Sequence, residues 1–360
     1  MYTSVQLFLI LSGLFFGALV FSLLLNSVFL RFARTLGIRE KDRNGELVRW
    51  SASAKPAFGG IAFFIIFLGS WSIYSTLFPH SDRPVDPQLL GLLAATGVGF
   101  LMGLADDAYN TRPFLKFLVQ VSCAVILIIS GSSIQLFHDP LTDGLLTVLW
   151  VVGMMNSINM LDNMDAITTV VSIFILLAAL VAALLTGDPT SPDLVLIVGT
   201  MAALFGFLFY NWHPSRLFMG DTGSQFLGVY LAFVGIRYFW NMPTAGEGTA
   251  EFRPVITTLI VFLLPIVDTT TVTINRLLRG NSPFVGGRDH TTHHLGYAGF
   301  SDPQVALIFA GISTVSLFLT FVNFRFIQDW RNTHALIFVL YALLVFGTLY
   351  VMTRRNRNSS

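Results

Sequence analysis

Long apolar runs separated by short polar loops constrain this chain more than any other feature. A helix needs about 20 consecutive apolar residues to cross the hydrocarbon core of a membrane, and the sequence contains about eleven such runs. Backbone polar groups inside a bilayer must bond within their own segment, so each run is predicted to be a helix. The runs lie near residues 5–30, 59–78, 88–104, 114–131, 144–161, 166–186, 194–210, 224–240, 255–274, 305–324 and 335–352. We therefore predict an all-α polytopic membrane protein with about eleven transmembrane helices.

Composition excludes a soluble globular protein, because 54% of the 360 residues are hydrophobic and only 11% are charged. The polar stretches between the runs are too short for a soluble domain, so residues 1–360 are predicted to form one integral-membrane domain. Cys123 is the only cysteine, which excludes intrachain disulfides and cysteine metal clusters. The first run is too long for a signal-peptide core, so no cleavable signal is expected. No basic patch with interleaved aromatic residues suggests a nucleic-acid partner.

The basic residues predict the orientation, because cytoplasmic loops carry an excess of Lys and Arg. One set of alternate loops, with the C-terminal tail, contains 16 of the 21 basic residues, and the opposite face has only five. We therefore predict a multi-pass protein of the inner (cytoplasmic) membrane with its N-terminus periplasmic or extracellular and its C-terminus cytoplasmic. Of the 21 basic residues, those assigned to the cytoplasmic side are Arg31, Arg34, Arg39, Lys41, Arg43, Arg49, Lys55, Arg112, Lys116, Arg216, Arg276, Arg279, Arg288, Arg354, Arg355 and Arg357.

The unusual polar clusters all fall on this predicted cytoplasmic face. They occupy residues 55–60, 106–107, 156–165, 211–224 and 288–294. Clustering on one face indicates a surface reaction site, since a transporter needs polar groups near the midplane and access from both sides. A multi-helix transporter remains the alternative of another class, because there are many helices and Asp268 lies inside the ninth run. An inactive scaffold that retains the loops is a third alternative.

Asp221 is the centre of the polar stretch between the seventh and eighth runs. A carboxylate between Gly220 and Gly223 with membrane-type sequence on both sides costs about 2.5–3.5 kcal/mol at mid-bilayer unless a cation meets it. Mg²⁺ prefers oxygen ligands and completes its shell with water and substrate phosphates. We predict a Mg²⁺ site formed by Asp221 and Asn159, with Mn²⁺ as a substitute, against a diphosphate at the membrane surface.

Asp106 and Asp107 end the third run, and Lys116 opens the next one on the same face. Adjacent helical residues point about 100° apart, so one carboxylate can face a metal or phosphate while the other faces an acceptor. The alternative is a helix end solvated by headgroups and water. Lys116 is either a topology anchor or, as we expect beside these carboxylates, a phosphate contact. Arg288 offers a planar guanidinium to diphosphate oxygens.

A third group of polar residues recurs every three positions, at Asn156, Asn159, Asp162 and Asp165. On a helix this spacing predicts a slowly drifting polar stripe, and four such side chains in an apolar chain favour a ligand. Interhelical hydrogen bonding is the alternative, credible for the two asparagines. Phe218 is predicted to stack on a base, or else to be an interfacial belt residue.

Histidines near the end of the last long loop, at His290, His293 and His294, favour a zinc site only weakly, because cysteine and a matching spacing are missing. Asp268 stands beside three threonines in the ninth run. We expect Asp268 to be part of a hydrogen-bonded structure rather than a catalytic group.

Together these elements resemble the polyprenyl-phosphate N-acetylhexosamine-1-phosphate transferase family, the MraY/WecA/TagO type. No single motif is decisive, but their order, loop side and spacing cover nearly the whole chain. The residues that carry the resemblance are 56–60, Asp106-Asp107 with Lys116, the block 156–165, Asn211 with 218–224, and 265–268 leading to the histidine loop.

The resemblance implies a Mg²⁺-dependent phosphotransferase that moves a sugar 1-phosphate, of the N-acetylglucosamine type, from a UDP-sugar to undecaprenyl phosphate and releases UMP. This would be the initiating step of cell-envelope polysaccharide synthesis. The resemblance is compatible with a homodimer as well as with a monomer. The implied roles are catalytic for Asp106 and Asp107, metal-binding for Asp221 and Asn159, phosphate-binding for Lys116, Arg288, His293 and His294, and nucleotide-binding for Asn156, Asp162, Asp165, Asn211 and Phe218.

Two departures from the family pattern stand out. Asn163 and Ala166 follow the two aspartates of the block, where the family has glycine, and the usual His-x-His-His reads Thr291-Thr-His-His294. The run of histidines typical of the muramyl-pentapeptide branch is missing. The WecA-like branch therefore fits better, and a phospho-N-acetylmuramoyl-pentapeptide transferase of peptidoglycan synthesis remains the alternative.

Overall fold

A computed structural model describes residues 3–36, 39–41, 47–49, 56–77, 86–186, 191–243, 252–282, 287 and 289–355. Apart from one short hairpin, the regular structure of these residues is helical. The helices are α1 (Ser4–Leu36), α2 (Gly59–Leu77), α3 (Pro87–Tyr109), α4 (Pro113–Ile129), α5 (Pro140–Leu161), α6 (Ile167–Thr186), α7 (Pro192–Asn211), α8 (Gly220–Gly235), α9 (Arg253–Val261), α10 (Leu263–Leu277), α11 (Thr291–Tyr297), α12 (Asp302–Phe326) and α13 (Asn332–Arg355). A π-helical turn, Ile236–Trp240, continues α8.

The hairpin pairs β1 (Arg39–Lys41) with β2 (Leu47–Arg49) in an antiparallel register. Both strands lie in the loop between the first two apolar runs. The all-α class is confirmed, because every other regular element of the described residues is helical. A two-stranded hairpin alone is marginally stable, so the architecture is that of the helices.

Eight helices in the described ranges are long and apolar enough to cross a membrane, or nine if α9 and α10 count as one bent span. The chain is thus a multi-pass membrane protein. Every predicted apolar run overlaps a helix or helix pair, but α4 has only 17 residues and α8 only 16. The count of about eleven crossings and the orientation stay predictions.

Three helices begin with the same device, a polar N-cap followed by proline at the first helical position. Asp86, Asp139 and Ser191 each accept a hydrogen bond from a backbone N–H in the first turn of α3, α5 and α7. Proline fits the first turn because the N–H that it lacks would have no partner there. The starts of α3, α5 and α7 are therefore determined by local sequence.

Helix α8 lies at the centre of the molecule, packed against α2, α3, α5 and α6, and nearly all of its side chains are buried. The backbone of α3 approaches the start of α8 closely. A Cβ atom on Gly103 would lie 2.2 Å from the carbonyl oxygen of Asp221, so only glycine permits this contact. The approach brings the end of α3, with Asp106 and Asp107, against the start of α8.

The ninth predicted span is broken, whereas the sequence predicts one continuous helix over 255–274. Helices α9 and α10 meet at an angle of 81° around Phe262. Pro265 lies in the first turn of α10, and a continuous helix would need the N–H that proline lacks to bond to Val261, the last residue of α9. The second half of the broken span, α10, packs against α11, which also contacts α12 and α13.

Candidate active site

The site begins where Asp107 caps α8. Its Oδ1 accepts the backbone N–H of Asp221 at 2.9 Å, and its Oδ2 accepts the backbone N–H and the hydroxyl of Thr222 at 2.9 and 2.6 Å. The first N–H groups of a helix have no partner inside it, and a carboxylate satisfies them and complements the helix dipole. Gly220 precedes them with φ +75°, a left-handed conformation that favours glycine. Asp107 therefore fixes the helix end that carries Asp221.

Asp106 faces a different set of partners. Its Oδ1 accepts the backbone N–H and hydroxyl of Thr111 at 2.8 and 2.6 Å, and its Oδ2 forms an ion pair with Lys116. The Lys116 ammonium also lies 2.9 Å from Oδ2 of Asp221. One cation is thus held between two carboxylates from separate helices. The adjacent aspartates have separate tasks, as the angle between neighbouring helical side chains allows.

The second oxygen of Asp221 is held from α5. Asn159 donates from Nδ2 to Asp221 Oδ1 at 2.9 Å and to the hydroxyl of Ser224 at 2.9 Å. Three helices, α4, α5 and α8, therefore meet at one carboxylate. The structure brings Asp106, Lys116, Asn159 and Asp221 together in one connected group, with Asp107 beneath it.

This group suits a divalent cation in its chemistry. The Lys116 ammonium marks a point where a positive charge is shared by Asp106 and Asp221, and hard divalent cations prefer such carboxylate oxygens. The side chain of Asp221 is 30% exposed, which leaves it open to a ligand from outside. Asn159 presents its amide nitrogen to Asp221, so it would ligate a metal only through Oδ1, after a turn of the amide.

A chain of side-chain amides supports this group from behind. Asn156 donates to Gln120 Oε1 at 2.8 Å, and Gln120 donates to Gln225 at 3.3 Å, which links α5, α4 and α8. Gln120 and Gln225 are buried. Such contacts match the alternative prediction for Asn156, which is hydrogen bonding between helices. The assignment of Asn156 to the nucleotide stays a prediction.

The predicted polar stripe is not a continuous helical face. Helix α5 ends at Leu161, so Asp162 is its C-cap and Asp165 lies in the following turn, where Ala166 has φ +67°. The prediction was wrong here because a repeat of three residues also fits a helix end followed by a tight turn. Burial and the negative charge of Asp221 raise the pKa of Asp162 to about 7.

Asp165 is engaged by the loop between α7 and α8. Its carboxylate accepts the hydroxyl of Ser215 at 2.6 Å and the backbone N–H of Ser215 at 3.0 Å, and lies 3.0 Å from Nδ1 of His213. The same His213 nitrogen lies 3.3 Å from Asp302 at the start of α12. Asp165 thus organises the loop that leads to Asp221. Its predicted contact to a nucleotide stays a prediction.

Asn211 is a buried connection between helices. Its Oδ1 accepts the backbone N–H of Ala166 at 3.1 Å and the hydroxyl of Thr169 at 2.8 Å, while its Nδ2 donates to the carbonyl of Leu217 at 3.1 Å. Every polar atom of this amide is therefore used to join α6, α7 and the loop. Its predicted contact to a nucleotide stays a prediction.

Phe218 lies at the rim of the same loop and is 38% exposed. Its backbone is fixed by hydrogen bonds to the segment before α2, since its N–H donates to Pro56 and its carbonyl accepts from Gly59. This pairing explains why residues 56–60 belong to the set of site motifs. An exposed ring on a fixed backbone is compatible with stacking on a base or with contact to lipid headgroups.

The histidine segment is anchored by two acid–base pairs. Asp268, buried in α10, accepts the backbone N–H and hydroxyl of Thr291 at 2.8 and 2.6 Å, and its Oδ2 lies 2.8 Å from His290 Nδ1. Arg276 binds Asp289 through two nitrogens, at 2.6 and 2.9 Å. Burial alone would raise the pKa of Asp289, but hydrogen bonds and charge from Arg276 outweigh it and lower that pKa. Asp268 is hydrogen-bonded structure, as the sequence predicts.

His293 and His294 lie on α11, on an element separate from α8. His294 is buried, and burial together with the charge of Arg279 lowers the pKa of its imidazole. The fourth predicted phosphate contact, Arg288, lies outside the described residues. Sequence reasoning missed Thr222, Ser224, Gln120, Gln225 and His213; a polar side chain inside an apolar run was the only signal for the glutamines.

Comparison with known proteins gives a consistent picture. Residues 89–239 match the model for glycosyl transferase family 4, a range that contains the carboxylate group described above. A probable undecaprenyl-phosphate N-acetylglucosaminyl 1-phosphate transferase of Bacillus subtilis (strain 168) is 26% identical over 342 residues, which cover 92% of this chain and 88% of that protein. These matches confirm the resemblance that the motifs predict.

Two further relatives show the breadth of the similarity. A decaprenyl-phosphate N-acetylglucosaminephosphotransferase of Mycobacterium leprae (strain TN) is 25% identical over 84% of this chain and 81% of its own length. A phospho-N-acetylmuramoyl-pentapeptide-transferase of Staphylococcus carnosus (strain TM300) is 31% identical, but over only 50% of this chain and 61% of that protein. Of these three relatives, the two that cover more of this chain are transferases named for N-acetylglucosamine.

Proposed function

Because residues 89–239 match the model for glycosyl transferase family 4, we propose that this protein transfers N-acetylglucosamine 1-phosphate from its UDP-sugar to undecaprenyl phosphate. UMP is the second product, and the lipid-linked sugar begins a cell-envelope polysaccharide. The single observation that carries the proposal is the Lys116 ammonium held between Asp106 and Asp221. A site that concentrates one cation between two carboxylates is suited to two phosphorylated substrates and a divalent ion.

The reaction exchanges one phosphoanhydride for another. An oxygen of the lipid phosphate attacks the phosphorus that bears the sugar, the bond from that phosphorus to the oxygen of UMP breaks, and UMP leaves with the electron pair. Phosphoryl transfer depends mainly on positioning and on electrostatic stabilisation of the developing charge. The chemistry is close to reversible because the bonds broken and formed are alike.

The residues of the site divide this work. Asp106 keeps the lipid phosphate deprotonated, Lys116 supplies positive charge to the diphosphate, and Asp107 holds the start of α8 so that Asp221 points into the site. Asp221, with Asn159 beside it, would hold Mg²⁺, which would supply a Lewis acid that neutralises diphosphate charge; Mn²⁺ would substitute. His293, His294 and Arg288 complete the phosphate contacts, and Asn156, Asp162, Asp165, Asn211 and Phe218 form the nucleotide side.

The same proposal includes about eleven crossings, with α4 and the α8–π-helix pair as spans and α9–α10 as one bent span. The whole chain is then one integral-membrane domain of the inner membrane. The asymmetry of Lys and Arg supports a cytoplasmic position for the carboxylate group. UDP-sugars are supplied from that side, which agrees with the reaction.

The test is UMP release by the purified protein in lipid nanodiscs that contain undecaprenyl phosphate. UDP-N-acetylglucosamine, other UDP-N-acetylhexosamines and UDP-N-acetylmuramoyl-pentapeptide are compared, each with and without Mg²⁺. We expect turnover with UDP-N-acetylglucosamine only when Mg²⁺ is present. Asp221→Asn should lower the rate by at least about 100-fold.

Asp139→Asn is the matched control, because Asp139 is an exposed helix cap and asparagine caps equally well. It should leave the rate unchanged. Turnover that survives Asp221→Asn would defeat the metal assignment. Substrate flux into proteoliposomes without UMP release would support the transporter instead.

A further inference from the structure

Two segments in which the chain departs from its family pattern are in direct contact. The hydroxyl of Thr292, at the start of α11, donates to Oδ1 of Asn163, in the turn after α5, at 2.5 Å. The two residues are 129 positions apart in sequence. The hydrogen bond joins the two segments of the site that carry unusual residues, the turn after α5 and the start of α11.

The amide of Asn163 is fixed at both ends. Its Nδ2 donates to the carbonyl of Met160 at 2.9 Å, and that carbonyl belongs to the last turn of α5, where backbone acceptors have no partner inside the helix. With the nitrogen held on α5, the amide oxygen is directed at Thr292. A glycine at this position would provide neither contact.

Helix α11 depends on such anchors because it has only seven residues. A helix of this length does not persist on its own in the absence of tertiary contacts. Its first two residues are both anchored from outside, Thr291 by Asp268 of α10 and Thr292 by Asn163. Thr291 and Thr292 are buried, so neither hydroxyl has bulk water as an alternative partner.

We propose that Asn163 and Thr292 are positioning residues that hold the histidine helix α11 against the turn after α5. The contact fixes how far two parts of the site lie from each other. One part is His293 and His294 of α11, and the other is the end of α5, which carries Asn159 and Asp162. The inference rests on the proposed function for its consequence, which is recognition of the nucleoside diphosphate sugar. The lipid phosphate, assigned to Asp106, is not expected to depend on the contact.

The experiment compares Thr292→Val, Asn163→Ala and the double variant in nanodiscs. Each single change should raise KM for the UDP-sugar about five- to tenfold, the effect of one buried hydrogen bond, while KM for undecaprenyl phosphate stays within about twofold. The double variant should be no worse than the worse single variant, because both remove the same contact. Thr292→Ser keeps the hydroxyl and should restore KM.

Thr314→Val is the matched control, because this exposed threonine of α12 makes only a hydrogen bond within its own helix. Hydrogen exchange of the backbone amides in 291–297 is measured on the same samples. Exchange there should be faster in Thr292→Val and Asn163→Ala than in the control. This readout needs no turnover, so it tests the contact even if the proposed reaction is wrong.

Unchanged exchange in 291–297 would overturn the proposal whatever the kinetics. Additive effects of the two changes would overturn it as well, because they would show that the residues act separately. An equal rise in KM for both substrates would show a general structural loss instead of positioning. Faster exchange without turnover on any UDP-sugar would support the contact and reject the proposed function.

Discussion

The Lys116 ammonium lies 2.9 Å from Oδ2 of Asp221 and forms a second ion pair with Asp106. The lysine therefore occupies the carboxylate oxygens to which a divalent ion would be expected to bind. Two cations cannot share the same lone pairs at close range, because like charges repel strongly in a poorly solvated site. Lys116 and the metal should compete for Asp221 until a diphosphate binds and the lysine ammonium pairs with the diphosphate instead.

Replacing Lys116 by Met should separate these two effects. Without the ammonium, Mn²⁺ should bind about tenfold more tightly in the absence of substrates, while UMP release falls by at least about 100-fold because the diphosphate loses its positive partner. Electron paramagnetic resonance of bound Mn²⁺ measures the first quantity. Arg325→Met, at the far end of α12, is the control and should change neither. Weaker Mn²⁺ binding in Lys116→Met would contradict the competition.

Substitutions of Asp106 and of Asp107 should have different effects on stability and on UMP release. Asp107→Ala removes the cap on α8 and should lower the free energy of unfolding by about 1–2 kcal/mol, with activity lost as a consequence. Asp106→Asn keeps the contact with Thr111 and should leave the thermal transition nearly unchanged while UMP release falls at least about 100-fold.

Thermal unfolding and UMP release on the same preparations distinguish the two aspartates. The contrary result would be equal destabilisation by both changes. It would mean that the pair acts as one structural unit.

The helices were predictable because each apolar run is long and because proline and a polar cap mark the starts of α3, α5 and α7. The gathering of Asp106, Lys116, Asn159 and Asp221 agrees with their predicted placement on one face. In an apolar chain, side chains of opposite charge are stabilised by pairing with one another.

The break in the ninth span, the buried glutamines and the contact of Asn163 with Thr292 were less predictable, for physical reasons. The break at Phe262 depends on Pro265, which the sequence shows, but proline is tolerated in many membrane helices. The amide chain through Gln120 and Gln225 was missed because a single glutamine in an apolar run carries no period. The contact of Asn163 with Thr292 joins segments far apart in sequence, and no local pattern predicts such a pair.

Gly103 tests the close approach of α3 to α8. A Cβ atom there would lie 2.2 Å from the carbonyl oxygen of Asp221, and a backbone atom cannot move aside cheaply. Gly103→Ala should therefore lower the thermal transition and UMP release together, with a loss of stability of about 1–3 kcal/mol from overpacking.

Gly97, in the same helix, is the matched control. Its added Cβ would be 3.9 Å from the ring of Phe64, an ordinary contact. Gly97→Ala should be neutral or slightly stabilising, because alanine favours helix. A harmless Gly103→Ala would show that α3 and α8 can separate without loss of the site.

Asp162 predicts a pH dependence of stability. Its pKa is raised from 3.8 to about 7 by burial and by the charge of Asp221, so the folded protein keeps a proton that the unfolded chain has lost between these values. A group of this kind contributes stability that is complete below its unfolded pKa and is lost as pH rises through its folded pKa. The thermal transition should therefore fall between pH 5 and about 7.5, and Asp162→Asn should reduce that fall. Asp139→Asn should not, because the hydroxyl of Thr142 lowers the pKa of Asp139 and its titration lies below this range. A pH dependence of the same size in Asp162→Asn and the unaltered protein would assign the effect to another group.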